Sequence, residues 1–336
     1  MIPAGAATRD DTHNASVAPY RAPRWLRGGH AQTVWPTFIR RPVVRMRRER
    51  VESGDGDFWD FDWLIAPAAD AAPLVVLLHG LEGGASSPYS RALMAHLAQL
   101  GWRGVVPHFR GCGGEPNRLP RAYHSGDHAE VAAILAAVRE RVAFLTTMYV
   151  AGVSLGGSVL LNWLGRNEYD ATRGVRAAAA ISAPLDLSAA GYAIGVGANR
   201  FYTHMFLQTL KPKALQMAAR FPALLDARRV RAVRSMWEFD NVVTAPLHGF
   251  EGADDYWQRG SSKPWLVNIG VPTLVLNALN DPFIPAASLA RPGEVSAAVT
   301  LEQPAEGGHA GFVTGRAPGR LDWLPRRLLQ FFTDGV

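Results

Sequence analysis

Cysteine occurs once in the 336 residues, at Cys112, and lysine only at Lys211, Lys213 and Lys263. A single cysteine excludes an intrachain disulfide and a cysteine-built metal cage, and fits a reducing compartment. No stretch approaches the roughly 18 consecutive apolar residues of a membrane-spanning helix. The first two dozen residues also lack the run of about 7–15 apolar residues found in a secretory signal. These absences lead to the expectation of a cytoplasmic protein without a membrane span; weak contact with a membrane surface stays open. Charged residues make up only 19% against 48% hydrophobic, which excludes disorder for the bulk of the chain.

The scarcity of lysine qualifies the charge balance. Lys+Arg total 35 against 29 Asp+Glu, a formal +6. Such an excess invites a polyanionic partner. Here, however, the cations are nearly all arginine in an alanine-rich chain, so composition accounts for part of it. A nucleic-acid surface calls for a basic stripe interleaved with aromatics, and only Arg40–Arg50 and Arg228–Arg234 resemble one. No nucleic-acid partner is expected.

Residues 1–24 mix small and polar types and read as a flexible arm. Residues 25–336 then read as one domain. An alternating segment from Pro42 to Val51 carries Arg45, Arg47, Arg48 and Arg50 and reads as an edge strand with a solvated basic face. The turn Ser53-Gly54-Asp55-Gly56-Asp57 joins it to a partner strand from Phe58 to Ala66. From Leu74 the pattern becomes strand–helix–strand. Apolar runs at 74–78, 104–107, 149–153 and 177–182 alternate with helical stretches at 88–100, 125–141 and 155–166. Short, wholly apolar strands separated by helices specify a mostly parallel, doubly wound α/β sheet. That alternation stops over 186–263, which is aromatic- and methionine-rich. A structureless loop of that length is improbable, so a helical insertion is expected there. Whether its aromatics form ordinary core or wall a substrate pocket stays open. Strands return at 272–277 and 298–301, and a last helix spans about 318–332.

Gly152-Val153-Ser154-Leu155-Gly156 fits G-x-S-x-G at the point where a buried strand passes into a helix. This is the setting that makes the pattern meaningful. The glycines permit the tight turn, and the helix start behind it offers N–H groups and partial positive charge. A serine hydroxyl is a weak nucleophile and needs a positioned base. Asp281 and His309 each lie just past a late strand, in the chain order Ser, Asp, His that this architecture requires. Asp254 and Asp255 are weaker candidates for the acid because they fall inside the insertion. His79-Gly80-Leu81-Glu82-Gly83-Gly84 follows the first buried strand. There the backbone N–H of Leu81, with that of Leu155, would hold a developing oxyanion. The glycine stretch lacks both the P-loop and the dinucleotide-binding pattern. His79 reads as structural and Cys112 as a small residue beside a turn. His124, Asp127 and His128 lack a distant ligand, so neither metal nor cofactor is expected.

Taken together, these residues resemble the α/β-hydrolases of the YheT-like family, related to abhydrolase-domain lipases and yeast medium-chain ester synthases/esterases. Further marks are Gly29-His30-Ala31-Gln32-Thr33-Val34-Trp35-Pro36, Arg110-Gly111-Cys112-Gly113-Gly114, Phe239-Asp240 with Thr244-Ala245-Pro246, and Asp281-Pro282-Phe283. Asn280 departs from the pattern, which often has an acidic residue beside the triad acid. The resemblance implies an α/β-hydrolase fold with a cap over the site, a Ser154–Asp281–His309 triad and carboxylic-ester chemistry through an acyl-enzyme. Its substrates would be small acyl esters, short- to medium-chain or lipid-like. Alcohol acyl transfer on the same triad and a non-catalytic binding protein are the alternatives.

Overall fold

The computed structural model describes residues 17–69, 71–166, 172 and 174–334. Eight strands form one sheet: β1 (Met46–Glu52), β2 (Phe58–Leu64), β3 (Leu74–Leu78), β4 (Arg103–His108), β5 (Met148–Val153), β6 (Ala177–Ile181), β7 (Thr273–Leu276) and β8 (Val299–Glu302). Their spatial order is β1-β2-β4-β3-β5-β6-β7-β8. β1 and β2 run antiparallel, β2 joins β4 antiparallel, and all later pairings are parallel. This is the expected doubly wound sheet with antiparallel N-terminal strands.

Burial on both faces explains why β3 has no polar residue. Leu74, Val76 and Leu78 pack into one apolar layer with Ile134 of α3 (His128–Arg139) and Leu160 of α4 (Leu155–Arg166). Val75 and Leu77 face the opposite layer with Leu93 and Leu97 of α2 (Pro88–Leu100). Leu328 and Phe332 of the C-terminal helix, Trp323–Asp334, complete that second layer.

Two expectations require correction. In β1, Arg48 lies opposite Asp62 and Arg50 opposite Asp60, and the pairs close at 2.8 and 2.9 Å. These two arginines neutralise buried aspartates across the strands and do not form a solvated basic face. The segment assigned to a flexible arm falls outside the described residues over 1–16 and is docked from Val17 on. Tyr20 is buried, donates its hydroxyl to the Val313 carbonyl at 2.8 Å, and packs edge-on against Phe312 and Trp323.

A buried ionic cluster lies at the carboxyl end of β4. Arg110, 2% exposed at its side chain, contacts Asp55, Asp57 and Glu130 at 2.9, 2.9 and 2.8 Å. Trp59 donates to the same Glu130 at 2.6 Å. The cluster ties the β1–β2 turn to the start of α3.

Between β6 and β7 the described chain is helical: α5 (Leu187–Ile194), α6 (Arg200–Arg220), α7 (Ala227–Ala232), α8 (Met236–Phe239), α9 (Ala245–His248) and α10 (Ala253–Gly260). Asp186 caps α5 by accepting from the Ala189 N–H at 3.0 Å. Leu207, Leu210, Ala214, Val230, Phe239 and Val243 form an apolar cluster separate from the sheet's layers. The chain rejoins the main core at Leu266 and Ile269. Within this stretch Asp240 starts a π-helical turn, Asp240–Thr244. Its carboxylate accepts from Thr244 Oγ1 at 2.5 Å and Trp257 Nε1 at 2.7 Å. No described cation pairs with it, and burial pushes its carboxyl up to about 6 in spite of those two donors.

Two consequences are testable by chemical unfolding. Arg110→Met leaves Asp57 buried without its cation and Glu130 with only the longer Arg121 contact at 3.5 Å, and should cost about 3–5 kcal/mol. The second concerns Asp240, whose folded value exceeds its ordinary 3.8. Its contribution is therefore fully favourable below 3.8 and is lost as pH rises to about 6. Asp240→Asn can still accept from Trp257 and meet the Thr244 hydroxyl, so its stability relative to the parent should rise between about pH 4 and pH 7.

Candidate active site

Ser154 sits where β5 ends and α4 begins, with φ at +56°, a conformation costly for a side-chain-bearing residue. Close packing on both sides enforces the turn. A Cβ on Gly156 would lie 2.4 Å from the Leu78 carbonyl oxygen and 2.5 Å from that of His79. One on Gly152 would lie 2.3 Å from the Gly156 carbonyl oxygen. Only glycine lets α4 start this close to β3. The Ser154 N–H donates to the Ile181 carbonyl at 2.8 Å, fixing the elbow to β6.

The structure brings Ser154, His309 and Asp281 together from three separate strand ends. His309 Nε2 stands 2.9 Å from Ser154 Oγ, and His309 Nδ1 stands 2.8 Å from Asp281 Oδ2. The carboxylate can only accept, so Nδ1 carries the proton and Nε2 is free to accept from the serine hydroxyl. The Asp281 side chain is fully buried, and its other oxygen accepts the Phe283 N–H at 2.8 Å. The Phe283 ring covers the imidazole at 4.3 Å between centroids. Asp254 and Asp255 lie elsewhere: Asp254 receives the Tyr192 hydroxyl and Trp237 Nε1, and Asp255 pairs with Arg259.

Leu81 and Leu155 line one cavity with Ser154. The N–H groups flanking Leu81 are all engaged: Gly80 donates to the Tyr89 hydroxyl, Glu82 to the Tyr123 hydroxyl and Gly83 to the Gly80 carbonyl. Among the described residues the Leu81 and Leu155 N–H groups have no such acceptor. His79 beneath this loop is fully buried; its Nε2 accepts the Phe109 N–H and its Nδ1 meets the Gly80 carbonyl. Burial holds its pKa down at about 3, so it stays neutral and acts as a staple between two loops.

Sequence reasoning missed the polar residues that hold the histidine loop. Gln32 and Thr33 belong to α1 (Gly29–Val34). Gln32, wholly buried, accepts the Gly307 N–H at 2.7 Å and the Asn280 side-chain amide at 3.1 Å, and donates to the Leu26 carbonyl. Asn280 in turn accepts the Gly308 N–H, and Thr33 Oγ1 accepts the His309 N–H at 2.9 Å. The signal was present as a Gly-His-Ala-Gln-Thr string without periodicity, whose partners no spacing rule reveals.

The cavity measures about 430 Å³ and is mainly apolar, with Leu155, Ile194, Phe206, Leu210, Met217 and Trp257 among its walls. The insertion's aromatics thus serve both: Phe239 belongs to its own cluster and also lines the cavity, which Phe206 and Trp257 wall as well. Glu82 at the cavity edge takes Lys213 of α6 at 2.7 Å and the Tyr123 hydroxyl at 2.9 Å, linking the insertion to the loop that carries Leu81. Cys112 lies beside this pair, and burial raises its thiol to about 11. Such a thiol stays protonated and unreactive near neutrality. His124 packs against His248 with its ring tilted, and no group of three metal-binding side chains occurs among the described residues.

Comparison with known proteins places these features. Residues 73–316 match the alpha/beta hydrolase fold. YheT of Escherichia coli (strain K12), provisionally named an esterase, is 36% identical over 97% of this chain and 96% of its own. The human phospholipase ABHD3 is 28% identical over 91% of this chain and 76% of its own. Monoacylglycerol lipase of Saccharomyces cerevisiae is 27% identical, covering 80% of this chain and 61% of its own. Among solved structures, the Pyrococcus furiosus esterase Pf2001 aligns with a TM-score of 0.54 at 12% identity, over 87% and 93% of the two chains. The Exiguobacterium antarcticum esterase EaEST gives 0.53 at 16%, over 85% and 100%. These two likenesses show the fold alone. No described helix is long and apolar enough to cross a membrane. The chain belongs to the alpha/beta hydrolase fold family, within its YheT-like branch.

Proposed function

We infer that this protein hydrolyses carboxylic esters through an acyl-enzyme on Ser154. The observation that carries this reading is the continuous relay Asp281–His309–Ser154, with both hydrogen bonds at 2.8–2.9 Å. Asp281 orients His309, and Nε2 takes the serine proton as Oγ attacks the ester carbonyl. The Leu81 and Leu155 N–H groups receive the oxyanion. His309 then protonates the departing alcohol. Water, deprotonated by His309, attacks the acyl-enzyme and releases the acid and Ser154.

The apolar cavity beside Ser154 suits a short- to medium-chain or lipid-like acyl group better than a charged one, since a charge there would lose its hydration. The phospholipase and lipase named among the relatives agree with that class. The helices α5–α10 would act as the cap, since α5, α6 and α10 supply much of the cavity wall.

Ser154→Ala should reduce p-nitrophenyl ester turnover by about 10⁶-fold and abolish fluorophosphonate labelling. Retained turnover, or labelling at another residue, would rule the mechanism out. Tyr123→Phe removes the hydroxyl that accepts the Glu82 N–H beside Leu81. Steady-state kinetics should then show kcat lowered by about 10- to 100-fold with KM little changed, because a donor misplaced by a fraction of an ångström acts on the transition state.

A further inference from the structure

The elements that wall the cavity also carry outward apolar side chains that nothing among the described residues covers. In the stretch from α5 into α6, Ile194 and Phe206 face the cavity while Val196, Phe201 and Met205 face outward, 63%, 59% and 51% exposed. Tyr202, between them, turns inward onto Phe283 and stacks on His30 of α1, with ring centroids 4.6 and 5.8 Å apart. Past α1 the outward surface continues as Trp25, Trp35 and Phe38, which contact one another edge to edge or tilted. Phe38 is 73% exposed. Leu279, two residues before Asp281, is also exposed. Single exposed apolar residues are ordinary, but a contiguous group around a cavity mouth is not.

Several arginines border this group, and the exposed Asp254 beside it already takes the Tyr192 hydroxyl and Trp237 Nε1. Arg200 directly precedes Phe201. Arg27 and Arg40 follow Leu26 and Ile39, which pack together in one buried cluster and so bring the two arginines to the same border. All three are exposed, and no ion pair among the described residues engages them. This contrasts with Arg48 and Arg50 of the sheet edge, which are neutralised. Apolar side chains ringed by unpaired arginines match a surface with hydrocarbon below and negative charge at its face. We propose that this rim docks the protein on an anionic lipid surface, with Val196, Phe201, Met205 and Phe38 entering the interface and Arg27, Arg40 and Arg200 facing the headgroups. The contact is peripheral and is independent of the acyl chemistry assigned to Ser154.

The test is co-sedimentation of the full chain with unilamellar vesicles, of phosphatidylglycerol mixed with phosphatidylcholine or of phosphatidylcholine alone. The protein should bind the anionic vesicles, bind neutral ones far more weakly, and lose binding as salt is raised. Phe201→Ser with Met205→Ser should weaken binding by about tenfold or more. Arg27→Gln, Arg40→Gln and Arg200→Gln should each weaken it by about fivefold. Turnover of a soluble short-chain ester should be unchanged in all of these. Phe144 and Leu145 are about 90% exposed but precede β5, at the amino-terminal end of the strand, opposite the end that carries Ser154. Replacing both with serine should leave binding intact. Three results would overturn the proposal: no binding to anionic vesicles, equal binding to neutral ones, or binding insensitive to the Phe201 and Met205 pair. A fourth would be that this pair instead abolishes self-association in lipid-free buffer, which would assign the rim to a second copy of the chain. Because binding is read without turnover, Ser154→Ala protein gives the same answer, and failure here leaves the hydrolytic reading standing.

Discussion

The close seating of α4 against the carboxyl end of β3 is the constraint on which the rest of the site depends. Helix and strand approach until no Cβ fits at Gly152 or Gly156, and Ser154 is forced into the left-handed region at the junction. That posture lifts the hydroxyl off the sheet and leaves the Leu155 N–H at a helix start with no internal partner. The same approach brings the loop after β3 alongside, with a Cβ on Gly80 only 3.1 Å from that of Ser154. The turn that carries Ser154 and the glycine loop that carries Leu81 are therefore consequences of one packing event. The alanines of β6 belong to it as well, since Ala180 and the nearby Ala183 leave room for Gly157.

The insertion is bound to this frame differently. Its helices keep their own apolar cluster and meet the sheet domain largely through polar or aromatic contacts: Lys213 on Glu82, Arg220 on the Asn117 and Arg118 carbonyls, and His248 against His124. They add to a small shared apolar cluster in which Tyr202 and Phe206 pack with Phe283, Ile284 and Leu289. The cavity lies along this seam, so its width follows how the two parts sit on one another, whereas the relay is held by strand ends of the sheet and by Gln32 and Thr33 of α1.

The legibility of these features in the sequence follows from their range. The strand–helix alternation is local, because a strand buried on both faces must be apolar throughout, and it led to the strands and helices nearly residue by residue. The convergence of Ser154, Asp281 and His309 was legible because strand ends collect at the carboxyl end of such a sheet, so chain order and strand position point to it. What escaped depends on pairing across long separations. The register that sets Arg48 on Asp62 turns an apparent basic face into neutral cross-strand pairs. The burial of Arg110 among three carboxylates cannot be read from any window containing it. Tyr20 resembles part of a polar arm until Phe312 and Trp323 arrive from the far end of the chain.

That last kind of contact has a consequence for how the protein comes into being. Gln32 and Thr33 hold the loop of His309, which lies 276 residues later in the chain. Contacts of such separation form late, since a long loop must close before they repay it. As the chain leaves the ribosome, the elbow and its oxyanion loop can assemble while the base is still unmade. A growing or truncated chain would therefore carry its serine without the imidazole that arouses it. Under the proposed mechanism, nucleophilicity would arrive only when the two ends of the polypeptide have found each other, and the finished fold would itself be the switch for the chemistry.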